Sequence, residues 1–160
     1  LKNLFYMKLK NIFLYIVIFS LISCSEKTEY SKFIRLPENH RWLKTDTKLF
    51  EFTIVDESKL YDVTFEFSHV ADYQFTNIPI KIDVKNPSGE EEFHNIDFNI
   101  VDKNGKPLAD CGGDICDMSM KIIEKTKLLK GKYQIKIGHS FKGEYLPNVI
   151  GIGVKVTESK

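Results

Sequence analysis

Six stretches of this chain alternate between apolar and polar residues, and this pattern constrains the fold more than any other feature. Successive side chains of a β-strand point to opposite faces, so alternation with a period of two predicts a strand with one buried and one wet face. The residues from Met118 to Lys127 fit either a strand or a helical turn. The alternating stretches are 50–54, 63–67, 78–84, 96–100, 133–137 and 150–156.

Strands with one apolar face need a second layer to cover that face. Because the sequence contains no long amphipathic helix, the covering layer must be another sheet. Turn-forming residues separate the strands, for example Asn-Pro-Ser-Gly at 86–89 and Asp-Lys-Asn-Gly at 102–105. The 160 residues suit a single domain. The sequence therefore predicts an all-β fold, an antiparallel β-sandwich with jelly-roll or Ig-like connectivity.

The segment before these strands has the pattern of an export signal. Lys8 and Lys10 precede an apolar run of eleven residues, 12–22, which is shorter than the roughly 20 residues that cross a bilayer. The run ends in Leu-Ile-Ser followed by Cys24, the order of a bacterial lipobox, in which the cysteine thiol accepts a diacylglycerol before cleavage. We therefore expect residues 1–23 to be a lipoprotein signal peptide, with translation starting at Met7.

This interpretation divides the chain into three parts. Residues 24–41 are expected to be the lipidated Cys24 and a tether, and residues 42–160 the β-sandwich domain. Removing the three lysines of the signal peptide from the 23 basic residues leaves 20 against 22 acidic residues, a net charge of −2. A nucleic-acid-binding domain would need a basic surface, so this charge balance argues against that class of partner. We expect attachment to a membrane through the acyl chains on Cys24.

A short glycine-containing segment holds the densest group of polar residues, and three interpretations of it are open. A disulfide between Cys111 and Cys116 is favoured, because the exported compartment is oxidising and two glycines lie between the cysteines. Zinc is a weaker alternative, because four residues separate the cysteines and no histidine is nearby. Calcium bound by Asp110, Asp114 and Asp117 lacks the spacing of an EF-hand loop.

The sequence carries no pattern typical of catalysis. It has no nucleophile elbow and no phosphate-binding glycine loop. We therefore expect that the protein is not an enzyme and needs no cofactor or metal. The four histidines are dispersed along the chain: His40, His69, His94 and His139. Aromatic residues that would suit stacking on a sugar, or equally core packing, are Trp42, Tyr61, Tyr73 and Tyr145.

Three segments of the mature chain match, in order, a pattern found in one family. The first is 73–82, a tyrosine followed by alternating hydrophobic residues. The second is a turn at 102–108 that leads to a Gly-Gly-Asp-Ile loop at 112–115. The third is 131–137 together with 146–154, which contains Leu-Pro and Val-Ile-Gly-Ile-Gly elements. Together they resemble the GldH family of Bacteroidota gliding-motility lipoproteins.

The resemblance implies a non-enzymatic accessory component of the gliding motility and type IX secretion apparatus, anchored in the cell envelope and acting through other envelope proteins. Ser25 follows Cys24 where an aspartate would signal retention in the inner membrane, and Glu26 and Glu29 form only a thin acidic tract. We therefore expect the outer membrane, on its periplasmic face. The alternative is a glycan-binding envelope lipoprotein that uses exposed aromatic residues.

Overall fold

A computed structural model describes residues 27–159, and these residues form antiparallel β-sheets packed as a sandwich. The predicted all-β sandwich is confirmed. The predicted signal peptide, residues 1–23, and Cys24 lie outside the described residues. The strands, numbered in chain order, are β1 (Thr28–Arg35), β2 (Trp42–Leu43), β3 (Lys48–Ile54), β4 (Leu60–Val70), β5 (Asn77–Lys85), β6 (Glu91–Asn99), β7 (Asp110–Gly112), β8 (Ile115–Lys127), β9 (Gly131–His139), β10 (Tyr145–Leu146) and β11 (Val149–Glu158).

Two sheets make up the sandwich. One has five strands in the order β1-β11-β4-β8-β7, and the other has four in the order β3-β9-β5-β6. Strands β10 and β2 form a separate short pair. The six alternating stretches lie in β3, β4, β5, β6, β9 and β11, with only residue 100 outside its strand. The residues from Met118 to Lys127, which fit either a strand or a helical turn, belong to strand β8.

The core lies between the two sheets, where the apolar faces of the strands meet. Phe65 of β4 packs with its ring centroid 5.3 Å from that of Phe98, which comes from the opposite sheet. Trp42 is fully buried, and its indole Nε1 donates a hydrogen bond to the Asp46 carbonyl at 2.7 Å. Full burial of one such large side chain contributes about 1.5–3 kcal/mol. Burial of the alternating face therefore joins the two sheets into one domain.

Residues 28–35 form strand β1, which corrects the predicted tether over 24–41. The strand pairs with β11 from Thr28, opposite Thr157, to Arg35, opposite Gly151, so its backbone groups are satisfied within the sheet. Its sequence alternates weakly because β1 is an edge strand that packs only Tyr30 and Ile34 against the core. Residues 28–35 thus belong to the folded domain, which the sequence predicted to start at residue 42.

Candidate functional site

An open groove of about 680 Å³ crosses the outer face of the five-stranded sheet. Ligand pockets usually fall within about 300–1,000 Å³. Strand β1 forms one wall, strands β4 and β8 form the other, and β11 runs between them. The outward side chains that line the groove are Phe33, Arg35, Glu66, Ser68, Asp117 and Ser119.

The register of the strands brings these residues together in two rows across the sheet. Alternate residues of a strand share one face, so both rows point outward. One row consists of Phe33, Gly153, Glu66 and Ser119. The other row consists of Arg35, Gly151, Ser68 and Asp117.

Two glycines of β11 allow the ring of Phe33 to lie directly on the backbone. A Cβ atom at Gly151 would stand 2.5 Å from Phe33 Cε1 and 2.7 Å from the Ile34 carbonyl oxygen. A Cβ at Gly153 would stand 2.9 Å from Phe33 Cδ2. Glycine weakens a strand interior and commonly marks such a close approach. The ring is thus held in place while 42% of the residue stays exposed, which makes it a platform for a flat apolar surface.

Glu66 supplies the acidic part of the groove. Its Oε2 would lie 2.7 Å from a Cβ at Gly153, so the carboxylate sits low in the groove. Burial raises the pKa of Glu66, Asp117 raises it further, and only Lys155 acts to lower it. Within residues 27–159 no hydrogen bond or ion pair reaches this carboxylate. It is therefore a partly desolvated acceptor, with Arg35 available as a donor across the groove.

The two cysteines of the glycine segment lie beside the groove. Cys111 of β7 is directly opposite Cys116 of β8, and their sulfur atoms are 2.04 Å apart. Cys116 is buried, whereas Cys111 is exposed. Their strand neighbours Gly112 and Ile115 line the end of the groove, so the link at Cys111–Cys116 would fix this border.

The residues proposed for a metal alternative are not gathered into a site. Asp110 and Asp117 are cross-strand neighbours, but Asp114 lies in the turn between β7 and β8, where its carbonyl accepts a hydrogen bond from the Ala71 amide at 2.9 Å. Among residues 27–159, no three histidine, cysteine or acidic side chains converge as metal ligands would. The structure therefore offers neither the zinc nor the calcium alternative a set of ligands in this segment.

The aromatic residues suggested for sugar stacking do not form a platform. Trp42 and Tyr61 are buried in the core, so of the two alternatives left open by the sequence, core packing applies to both. Tyr73 packs against His69 with ring centroids 4.6 Å apart, and the ring of Tyr145 is covered by the Arg41 guanidinium at 4.5 Å.

The exposed platform is Phe33, which sequence reasoning assigned to the tether. Two glycines stand at 151 and 153, on the polar face of the alternating stretch 150–156, and they indicate a close approach at this strand. That pattern gives no means of identifying Phe33 as the residue that approaches, because the pairing of β1 with β11 joins distant parts of the chain.

The fold and this groove define a β-sandwich domain with an open binding-type surface on one sheet. The model of the GldH lipoprotein family matches residues 28–156, from the first residue of β1 nearly to the end of β11, and the chain belongs to that family. The resemblance seen in the sequence is thereby confirmed. Proteins of this family are lipid-anchored components of the cell envelope associated with gliding motility.

Two relatives match most of the chain. The gliding motility lipoprotein GldH homolog of Christiangramia forsetii is 24% identical over 156 residues, which cover 91% of this chain and 94% of the relative. The gliding motility lipoprotein GldH of Flavobacterium johnsoniae is 21% identical over 145 residues, which cover 86% and 89%. Neither relative is named as an enzyme.

A family 35 carbohydrate-binding module from Clostridium thermocellum is one of the similar solved structures. It is 15% identical, with 82% of this chain and 93% of the module covered and a TM-score of 0.38. Among residues 27–159, no helix has the length and apolar character needed to cross a membrane.

Proposed function

We propose that this protein is a non-enzymatic accessory component of the gliding motility and type IX secretion apparatus, and that it acts through contacts with other envelope proteins. Membership of the GldH lipoprotein family over residues 28–156 carries this proposal. The names of both relatives, gliding motility lipoproteins, support it. The open groove on the five-stranded sheet gives such a protein a surface that a partner can reach.

Deletion and capture of partners test this role. Deleting the gene is expected to reduce colony spreading and the secretion of type IX cargo, and the tagged protein is expected to retain other envelope proteins after cross-linking. A matched capture uses the groove variant Ser119→Arg, which fills the groove with a long side chain and is expected to lose partners bound there. Normal spreading and secretion in the deletion strain would contradict the proposal.

The anchor in this proposal is a lipid on Cys24, in the outer membrane with the domain on the periplasmic side. Two or more acyl chains give stable attachment without a spanning helix, because each buried CH₂ contributes about 0.8 kcal/mol. Metabolic labelling with a palmitate analogue is expected to mark the protein and to fail in Cys24→Ala. Cys111→Ala is the matched control, since it removes a different cysteine and leaves Cys24 in place. Equal labelling of Cys24→Ala and the unaltered protein would refute the anchor.

We also propose that Cys111 and Cys116 are joined as a disulfide in the exported protein. The cross-strand placement of the two cysteines and the oxidising compartment support this pairing. In an alkylation experiment on the unfolded protein without reductant, both cysteines are expected to resist modification, and mass spectrometry after reduction and a second alkylation is expected to show two added groups. Alkylation of both cysteines before reduction would contradict the pairing.

A second candidate function is binding of a saccharide in the groove, and the exposed ring of Phe33 is the observation that favours it. A pyranose has an apolar face that stacks on an aromatic ring, and its hydroxyls both donate and accept hydrogen bonds. Glu66 and Asp117 disfavour an anionic ligand, whereas Arg35 disfavours a cationic one. A neutral polyhydroxylated ligand can pair with both walls of the groove.

A panel of soluble gluco-, manno-, galacto- and chito-oligosaccharides, measured by calorimetry, tests this candidate. Phe33→Ala is expected to weaken binding by about tenfold, which corresponds to about 1.4 kcal/mol. Glu66→Gln is expected to weaken it without removing the platform. Phe93→Ala is the matched control, because Phe93 is 67% exposed on the four-stranded sheet. Absence of binding by the unaltered protein, or equal losses in the two phenylalanine variants, would exclude a saccharide site in this groove.

A further inference from the structure

One end of the sandwich gathers the start of β1 and the loops that follow β3 and β8. Ile54 pairs with Gly131, Leu60 pairs with Lys127, and the Glu158 amide donates a hydrogen bond to the Lys27 carbonyl at 2.9 Å. These pairings put Lys27, residues 55–60 and residues 125–130 on the same end. We call this surface the β1 end.

The β1 end exposes three apolar side chains at positions where turns usually carry polar residues. Val55 is 70% exposed, Leu129 is 50% exposed and Leu60 is 36% exposed. The turn that carries Val55 is fixed, because the Tyr61 hydroxyl donates a hydrogen bond to the Asp56 carbonyl at 2.8 Å. Leu129 directly follows the buried Leu128. A group of exposed apolar side chains with polar residues around it is typical of a surface that contacts a membrane or another protein.

Exposed lysines lie beside these apolar tips, together with the exposed Glu57 of the 55–60 turn. Lys125, Lys127 and Lys130 are exposed, and none of them forms an ion pair with an acidic side chain of residues 27–159. By contrast, Glu158 of the same end is paired with Lys59. Apolar side chains next to unpaired lysines are typical of surfaces that rest on an anionic bilayer.

The length of chain between Cys24 and β1 determines how far this end can stand from a membrane. Three residues separate Cys24 from Thr28, so even a fully extended chain spans only about 14 Å between the two residues. The headgroup region of one leaflet is about 5–8 Å thick. A lipid on Cys24 therefore keeps the β1 end at or just above the headgroups.

We propose that the β1 end is a membrane-contact surface, in which Val55 and Leu129 enter the headgroup region of the bilayer that holds the Cys24 lipid and the three lysines contact lipid phosphates. This inference rests on the proposed lipid anchor and adds a fixed orientation to it. The strands then rise from the membrane, and the groove on the five-stranded sheet faces sideways, where envelope partners can reach it.

Tryptophan substitution with lipid quenching tests the contact. The full chain is produced with its lipid and reconstituted into vesicles of phosphatidylethanolamine and phosphatidylglycerol that carry brominated acyl chains. Val55→Trp and Leu129→Trp are expected to lose about half of the added fluorescence relative to ordinary vesicles, because interfacial side chains sit about 5–10 Å into the headgroup and acyl boundary. The native Trp42 is buried and gives the same background in each variant.

Leu108→Trp is the matched control, because Leu108 is 53% exposed and follows β6, at the end of the sandwich opposite the β1 end. Its fluorescence is expected not to change in brominated vesicles. Vesicle flotation with quenching at positions 55 and 129 no greater than at 108 would overturn the contact surface while leaving the anchor intact. Failure of the chain to float with vesicles would overturn the anchor and the contact surface together.

Discussion

Two carboxylates stand four residues apart on the outer face of strand β4, and their surroundings are opposite. Asp62 is buried, accepts a hydrogen bond from the Lys125 amide at 2.7 Å and pairs with Lys121 Nζ at 2.9 Å. Glu66 lies in the groove, and among residues 27–159 no donor or cation contacts its carboxylate.

The pKa values of the two groups move in opposite directions. Burial acts to raise the pKa of Asp62, but the Lys125 amide and Lys121 outweigh it, and the net pKa is lowered. Burial also raises the pKa of Glu66, and the attraction to Lys155 does not compensate. The acceptors of Asp62 are therefore used within the fold, whereas those of Glu66 have no partner among residues 27–159.

The largest expected effect is the difference in stability between variants that remove Asp62 and Glu66. Asp62→Ala leaves the Lys125 amide without its acceptor and is expected to lower the free energy of unfolding by about 1–3 kcal/mol. Glu66→Ala is expected to change it by no more than about 0.5 kcal/mol, because no contact of the fold is lost. Urea denaturation of both variants measures the difference. Equal losses would show that Glu66 is as structural as Asp62.

A second substitution sharpens the comparison by altering the backbone beneath the groove. Gly151→Ala is expected to destabilise the protein by about 1–3 kcal/mol, because its Cβ would overlap the Phe33 ring and the Ile34 carbonyl. Gly138→Ala on the four-stranded sheet is the matched control, since its Cβ would meet only the Thr47 hydroxyl at 3.3 Å and is expected to cost less than about 0.5 kcal/mol. Thermal unfolding of both variants checks the difference. A harmless Gly151→Ala would contradict the close packing of Phe33.

Removing the cation beside each carboxylate is expected to have a smaller effect. Lys121 is 43% exposed and its charge is screened by water, so Lys121→Met is expected to lower the free energy of unfolding only slightly. Lys155→Met is expected to leave stability nearly unchanged but to raise the pKa of Glu66 further, which side-chain carboxyl NMR measures. A clear loss of stability in Lys155→Met alone would show that Glu66, rather than Asp62, has the stabilising ion pair.

The pH dependence of stability gives the most subtle test. The lowered pKa of Asp62 means that its stabilisation is present above its unfolded pKa and is lost as pH falls through its folded pKa. The raised pKa of Glu66 has the opposite sign, because its favourable contribution is present below its unfolded pKa and is lost as pH rises through its folded pKa.

Denaturation between pH 3 and pH 7 therefore compares three proteins: unaltered, Asp62→Asn and Glu66→Gln. Glu66→Gln is expected to gain stability relative to the unaltered protein as pH rises, whereas Asp62→Asn is expected to lose it. Constant differences over the whole range would show that neither carboxylate titrates as described.

Regularity of pattern decided which strands the sequence could predict. Stretches such as 78–84, with isoleucine or valine at every second position, are central strands whose inward faces are fully covered. Strand β1 was missed because an edge strand buries little, and β8 remained ambiguous because its burial is only partial. The alternation of apolar and polar residues reflects the burial of one face of a strand. A strand that buries few side chains is therefore hard to recognise in the sequence.

Only a small part of the groove could be predicted from the sequence. Gly151 and Gly153 interrupt the polar face of an alternating stretch, and this much is visible in the sequence. Arg35 and Phe33 face Ser68 and Glu66 across the groove only because β11 pairs with β1 on one side and with β4 on the other. Such pairings join residues far apart in the chain, and no local pattern specifies them.

By itself, the sequence determined an all-β sandwich and the resemblance to the GldH family, because apolar alternation and the order of short segments are properties of the linear chain. It also defined Cys24 as the expected lipid site. The tertiary structure decided that residues 28–35 belong to the domain, that the ring of Phe33 lies on two glycines, and that Val55 and Leu129 share the β1 end. These features depend on strand register, which brings distant residues into contact and is set only when the two sheets pack.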